Sequence, residues 1–397
     1  MERGLLLRKT AGDVLMSSHD AFDPSRRAWL ARNAALAVAA PLASLVPGVA
    51  AGARRDAPGA ADGLVRLDLN ESSYGPSPRV PVAIQRALPL APRYVTAEQG
   101  QALVKQIAAL EGVAPEQVIV GEVLEPLGQH LAVAGNGGTF VYSVPGYGAL
   151  VDAAAPFGGR AIEVPLDASL RNDLPRLLAA IQADTRALFV VNPHNPSGTA
   201  SPAQEFDAFV LAASAKALVI VDEAYLDYLP DAADRTAVRH LRAGRNVAVF
   251  RTLGKIHALA GLQIGYALVP PDLAAALRKR GVGSPHGLNQ LSIAAAAASL
   301  ADPGHVAWVR EQVAVERTRW LDQLRRLGLR YAEPAGNFVF FDVGRPQAEV
   351  VAALKARKIL VARAFPPYDT WVRISIGTPA ENRLAQAALE RVVHAAG

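Results

Sequence analysis

The sequence predicts an α/β protein in which a mostly parallel, seven-stranded sheet forms a large domain and a smaller α+β domain follows it. Seven short β-branched runs, at 118–120, 140–142, 161–164, 187–191, 217–221, 247–250 and 264–269, alternate with Ala- and Leu-rich helical stretches. Several of these runs lack polar alternation, as strands covered on both faces do. Beyond residue 280, long amphipathic stretches accompany only two further runs, 338–343 and 372–376, which places the smaller domain there.

Each element then has a positional meaning. In a parallel sheet, ligands bind beyond the carboxyl ends of the strands. Residues 192–198 follow one run, Asp222 ends another, and residues 251–255 follow a third. Polar and ionisable groups therefore converge on one sheet edge from three places.

Composition narrows the functional classes. Apolar residues make up 51% and charged residues 19% of the 397 positions, enough to bury a sizeable core. The net charge is +5, with six basic and four acidic residues in positions 1–53 and the remaining excess scattered. No basic stripe with interleaved aromatics marks a nucleic-acid partner. The absence of Cys excludes disulfides and thiolate chemistry, and the eight His lack metal-ligand spacing, so no structural metal is expected.

Residues 25–30, Ser-Arg-Arg-Ala-Trp-Leu, precede twenty uncharged, Ala-rich residues at 34–53 that end in Ala51-Gly52-Ala53. This resembles a twin-arginine signal peptide cleaved after Ala53, and implies the twin-arginine translocase as an export partner and a periplasmic or exported destination. Twenty uncharged residues also suffice to span a bilayer, so a signal anchor is the alternative. Met16 is a second candidate start. The expected organisation is a signal at 1–53, a segment at 54–86 that joins the small domain, a large domain at 87–279 and a small domain at 280–397.

Five motifs follow in order: VVNPHNPSGT (190–199), VIVDEAYLDY (219–228), FRTLGKIHALAGLQIGY (250–266), GNFVFFDV (336–343) and VRISIGT (372–378). With LDLNESSYGPSP (67–78) and PRYVT (92–96), they resemble the class I/II aminotransferases of the pyridoxal 5'-phosphate (PLP) fold type I, most closely the histidinol-phosphate-aminotransferase-like branch. The resemblance covers about residues 66–395. It implies a PLP-binding large domain, a PLP-dependent transaminase exchanging an amino group between an amino acid, or a histidinol-phosphate-like amine, and a 2-oxo acid, and a homodimer.

The resemblance also assigns roles. Lys255 corresponds to the lysine that holds the cofactor aldehyde as a Schiff base and moves the Cα proton. Asp222 corresponds to the partner of the pyridine nitrogen, Tyr225 and Asn195 to the residues on the ring oxygen, and Tyr147 to the aromatic stacked on the ring. Arg373 corresponds to the fork that grips the substrate carboxylate, with Asn337 beside it, and Arg363 to an arginine for a substrate phosphate. Tyr94 corresponds to a tyrosine that reaches the cofactor phosphate of the neighbouring subunit.

At the phosphate the pattern breaks. Gly254 stands where a Ser is usual, Gln263 where an Arg is usual, and GEVLEPLG (121–128) where a small-residue turn is usual. The backbone N–H groups of Val123 and Leu124 at a helix start, with Thr252 and Gln263, are the remaining candidates for that grip. Weaker PLP retention follows, because neutral contacts replace charge-assisted ones. Motifs shared across the fold also serve lyases, racemases and oxidases, and a degenerate, non-catalytic relative is the third reading.

Overall fold

The computed structural model describes residues 63–394, and the signal-like residues 1–53 lie outside that range. The strands are β1 (Val65–Leu67), β2 (Val118–Val120), β3 (Gly138–Val144), β4 (Gly159–Pro165), β5 (Thr185–Val191), β6 (Val219–Asp222), β7 (Val247–Thr252), β8 (Gly265–Leu268), β9 (Phe338–Asp342), β10 (Ile359–Val361) and β11 (Trp371–Ser375). Seven of them form one sheet in the order β2-β8-β7-β6-β5-β3-β4. Only β8 runs against its neighbours β2 and β7; the other pairings are parallel.

The apolar runs are explained by burial on two faces. Along β5, Ala187, Phe189 and Val191 enter one hydrophobic cluster, while Leu188 and Val190 enter another. The same alternation sends Ile220 and Phe250 to the first face and Val219, Val221, Val247 and Val249 to the second. Leu103, Ile107, Phe206, Phe209 and Val210 cover the second face from the helices Ala97–Glu111 and Ala203–Ser214. Burying each such side chain contributes about 1.5–3 kcal/mol.

The first cluster continues past the sheet to Val309, Val313 and Trp320 of the helix Pro303–Arg326, and to Val339, Phe341, Val372 and Ile374 of the antiparallel pair β9–β11. The chain segments on either side of residue 280 therefore share a core. The remaining sheet is parallel and joins β1 to β10, with Val65 opposite Ile359. That pairing ties the segment after residue 63 to the C-terminal region and sends residues 68–71 onward from β1.

Strand direction positions the site. β2, β3, β5, β6 and β7 all run toward one sheet edge, so Gly121–Leu124, Tyr147, Asn195, Asp222 and Lys255 follow strand ends there. Gln263 precedes β8, whose Gly265 pairs with Thr252. One close approach fixes the helix Leu124–Ala134: a Cβ on Gly128 would lie 2.0 Å from the carbonyl oxygen of Leu150, so only glycine lets this helix pack against Ala149–Ala154.

Candidate active site

Asp222 ends β6 and is 3% exposed. Its carboxylate accepts one hydrogen bond, from the Ala224 N–H at 3.0 Å. Burial pushes its pKa up to about 7; the Ala224 hydrogen bond and the positive Lys255 oppose the rise, while Glu223 and Glu122 add to it. Among the described residues no ion pair reaches this carboxylate, although the charge of Lys255 is felt there. The neighbouring Glu223 is supplied with partners: Arg251 at 2.9 Å, the Thr236 hydroxyl at 2.9 Å and the Ala237 N–H at 2.6 Å. Alternation along the strand end thus sends one carboxylate into a satisfied network and the other into the site.

Lys255 follows β7, its Nζ donating to the carbonyl oxygen of Leu69 at 3.0 Å and lying 6.0 Å from the Tyr225 ring centre. Burial lowers its pKa, and the nearby Arg373 lowers it further; Glu71, Asp222 and Glu122 act in the opposite sense. A lowered ammonium pKa enlarges the population of free amine, the form that attacks a carbonyl.

Tyr225 is buried and packs edge-on to Phe338, with ring centres 5.1 Å apart. Its hydroxyl accepts from Asn70 Nδ2 at 3.2 Å. Burial raises its pKa, while Arg373 and the Asn70 hydrogen bond act the other way. Tyr147 is 45% exposed and its pKa is pushed up to about 12, by burial first and then by Asp222, Tyr225, Glu122 and Glu125. Tyr147 follows β3 at the sheet edge where Asp222 ends β6.

Arg373, on β11, is 7% exposed. Nη1 donates to Asn195 Oδ1 at 2.5 Å, Nη2 donates to the carbonyl oxygen of Asp68 at 2.7 Å, and the buried Nε has no partner. Burial brings its pKa down to about 10, with Tyr225 opposing and Arg363 adding to the drop, so it stays cationic at neutral pH. Asn195 is presented by a loop that hydrogen bonds cross-brace. His194 Nδ1 meets Ser197 Oγ at 2.9 Å, Ser197 Oγ meets Thr199 Oγ1 at 2.9 Å, and Thr199 Oγ1 donates to the Leu170 carbonyl oxygen at 2.8 Å. Burial holds His194 neutral, pushing its pKa down to about 3.

Three other residues named from the sequence make contacts of their own. Asn337 does not bond to Arg373; its Nδ2 donates to the carbonyl oxygens of Asn70 and Glu71, both at 3.1 Å, and its Oδ1 is buried without a partner. The backbone of residues 70–71 competes for the amide that the sequence reading placed beside the arginine. Arg363 is exposed, with its guanidinium 4.6 Å from the Phe365 ring centre; Arg373 lies 5.0 Å from that same ring. Tyr94 is 79% exposed, its ring set against His286 rather than among the site residues of its own chain.

At the phosphate end, Val123 caps the helix Leu124–Ala134 and is fully buried. No hydrogen bond occupies the Val123 and Leu124 N–H groups among the described residues. Thr252 Oγ1 accepts from the Gly254 N–H at 3.0 Å and keeps its own proton to donate. A Cβ on Gly254 would lie 3.2 Å from Thr252 Oγ1 and 3.3 Å from Ala260 Cα, so the backbone here leaves little room for a serine. Gln263 is exposed and left-handed at φ 47. Glu122 is exposed beside the buried Val123, and its pKa is raised by desolvation and by Glu125, against the lowering effect of Lys255.

The ring end of this site fits PLP: a buried carboxylate that no ion pair reaches among the described residues, a tyrosine, an asparagine and a lysine converge there. The phosphate end offers backbone N–H groups and a hydroxyl, with an acidic neighbour and no basic side chain among the residues named for it.

Two residues absent from the sequence reading join the others. Asn70 is 1% exposed, sits at φ 55 and links Tyr225, Asn337 and Ser375. Ser375 Oγ accepts from the Asn70 N–H at 2.8 Å. Nothing in the local pattern of VRLDLNESS singled out Asn70.

Comparison with known proteins agrees with this geometry. The sequence profile of the family described as aminotransferase class I and II matches residues 62–389. A histidinol-phosphate aminotransferase of Moorella thermoacetica is 34% identical over 338 residues, 83% of this chain and 86% of that protein. An aromatic amino acid aminotransferase of Rhodococcus jostii is 36% identical over 324 residues, covering 81% and 88%. The crystal structure of histidinol-phosphate aminotransferase from Sinorhizobium meliloti in complex with pyridoxal-5'-phosphate superposes with a TM-score of 0.75 at 31% identity, over 84% of this chain and 91% of that one.

Proposed function

The chain belongs to the class I and II aminotransferases and is a PLP-dependent transaminase, and from that premise we propose that it exchanges an amino group between an amino acid and a 2-oxo acid, both read through their carboxylate by Arg373. The observation that carries this is Asp222, a buried carboxylate with a single hydrogen bond, set at the same sheet edge as Lys255 and Arg373.

Bound PLP supplies a carbonyl for the amino group and a ring that withdraws electrons from Cα. Around it, each residue has a defined task. Lys255 Nζ, its proton affinity lowered by burial, would hold the cofactor through its carbonyl and, when free, would carry the proton at substrate Cα. Asp222 holds negative charge against the ring nitrogen and keeps that nitrogen protonated. Tyr225 and Asn195 donate to the ring oxygen, and Tyr147 lines the ring. Arg373 orients the substrate carboxylate; through Nη1 it is tied to Asn195, so substrate and ring are positioned by one linked pair. Val123 and Leu124 N–H groups and the Thr252 hydroxyl hold the phosphate. Arg363, exposed beside Phe365, adds an outer site for a second anionic group on the substrate.

The names of the relatives include histidinol-phosphate and aromatic amino acid aminotransferases, which supports a donor with a ring-bearing side chain. Residues 1–53 carry the twin-arginine-like pattern, so we assign the enzyme to export through the twin-arginine translocase and to the periplasm or beyond. An amino acid donor suits that destination better than an intermediate of cytoplasmic histidine synthesis. Tyr94, 79% exposed and away from the site residues of its own chain, is free to reach a second copy, in keeping with a homodimer.

The test is to load the processed protein with PLP, record its visible absorbance and add a panel of amino donors. Conversion to the pyridoxamine form with release of the matching 2-oxo acid, absent in Lys255→Ala, is the expected result. Release of ammonia or peroxide instead would replace transamination by another Cα reaction.

A further inference from the structure

Three hydrogen bonds run in one direction, and the single proton of Ser375 favours it: in the turned-over amide that proton would have no acceptor among the described residues. Ser375 Oγ accepts from the Asn70 N–H at 2.8 Å, and gives its proton to Asn70 Oδ1 at 3.1 Å. With its oxygen occupied by that proton, the Asn70 amide must turn its Nδ2 toward Tyr225, which accepts at 3.2 Å. Tyr225 therefore spends a lone pair on Asn70, and its own proton is given to no protein group among the described residues. The Asn70 carbonyl oxygen is held in turn by Asn337, and the whole chain of contacts is buried.

We propose that Asn70 is a positioning residue that sets the polarity of Tyr225, forcing the tyrosine to act as a hydrogen-bond donor toward the ring oxygen of bound PLP. This rests on the cofactor placement proposed above. Without Asn70 the tyrosine could accept from the site as readily as donate to it. Ser375 is the origin of the relay, since it fixes the amide that fixes the phenol.

Asn70→Asp is the informative variant. Aspartate, like asparagine, tolerates the left-handed backbone at φ 55, but a carboxylate only accepts, so it draws the Tyr225 proton toward itself. A proton donated to the ring oxygen stabilises the unprotonated form of the bound chromophore; removing it makes protonation easier. The pH midpoint of the visible band of PLP-loaded N70D should rise by about 1–2 units, the worth of one hydrogen bond to a charged group. Ser375→Ala, which frees the amide to turn over, should give a smaller rise in the same direction.

The new carboxylate would also raise the midpoint by charge alone, so Tyr225→Phe is the necessary background. On Y225F, N70D should add only that charge contribution, well short of its shift in the wild-type background, if the rest of its effect passes through the phenol. A full N70D shift on Y225F, or an unmoved midpoint in N70D with a normal Lys255-dependent band, overturns the role of Asn70. A wild-type protein with no Lys255-dependent band under saturating PLP overturns the cofactor placement itself, and this inference with it.

Discussion

Replacing Asp222 by Asn should stabilise the cofactor-free protein while weakening its hold on PLP. Asp222 is 3% exposed with one hydrogen bond, and burial lifts its pKa from the ordinary 3.8 to about 7. Below about pH 3 the carboxyl is largely protonated in folded and unfolded chains alike, and the two proteins should differ little. Between pH 4 and 7 the unfolded chain releases the proton and the folded chain keeps it, so stability falls by about 1.4 kcal/mol per pH unit. Above pH 7 both states are ionised and the loss levels off at roughly 4 kcal/mol. Asn titrates in neither state and keeps an acceptor for the Ala224 N–H. Urea denaturation of both cofactor-free proteins at pH 5 and pH 8 should show Asp222→Asn more stable by about 1–2 kcal/mol at the first and up to roughly 4 kcal/mol at the second. With PLP bound the order should reverse, because the carboxylate then has its cation. An advantage for Asn that is the same at both pH values, or a loss of stability at pH 8 without cofactor, would refute the reasoning.

Three further outcomes follow from the same geometry. Arg373→Lys keeps the charge but loses the fork, and kcat/KM for amino acid donors should fall about 100-fold or more in steady-state kinetics. PLP affinity, measured by equilibrium dialysis, should weaken as pH rises through the raised pKa of Glu122, because the ionised carboxylate repels the phosphate; Glu122→Gln should bind more tightly and flatten that dependence. Gly128→Ala, whose Cβ would meet the Leu150 carbonyl oxygen at 2.0 Å, should cost about 1–3 kcal/mol in thermal or urea unfolding by pushing two helices apart.

The fold was legible where the sequence repeats one physical pattern. Apolar runs such as 187–191 and 247–250 have no polar face to show water, and they became the buried β5 and β7. Strand ends slipped by a residue or two: the run at 217–221 gave β6 at Val219–Asp222, and that at 264–269 gave β8 at Gly265–Leu268. β1 and β10 were not read at all. Each has three residues, and what makes them strands is their pairing across most of the chain, Val65 with Ile359, which no local spacing encodes.

The site divides the same way. Lys255, Asp222 and Tyr225 lie in motifs whose local order reflects strand ends, and the structure brings them to one edge. Asn70 reaches Tyr225 across 155 positions and Ser375 across 305, so their roles appear only once the chain is folded. Asn337 was placed with Arg373 by the resemblance alone; in the structure its amide donates to the carbonyl oxygens of Asn70 and Glu71. The altered turn at 121–128 was visible as a departure, but not that Glu122 would exert its charge on Lys255 and Asp222.

The central claim is that Lys255 is the residue that tethers PLP, and borohydride reduction of the PLP-loaded protein followed by peptide mass mapping tests it most directly. The expected result is one reduced pyridoxyl adduct per chain on Lys255, lost in Lys255→Ala. A stoichiometric adduct on another lysine, or none at saturating PLP, would contradict the account.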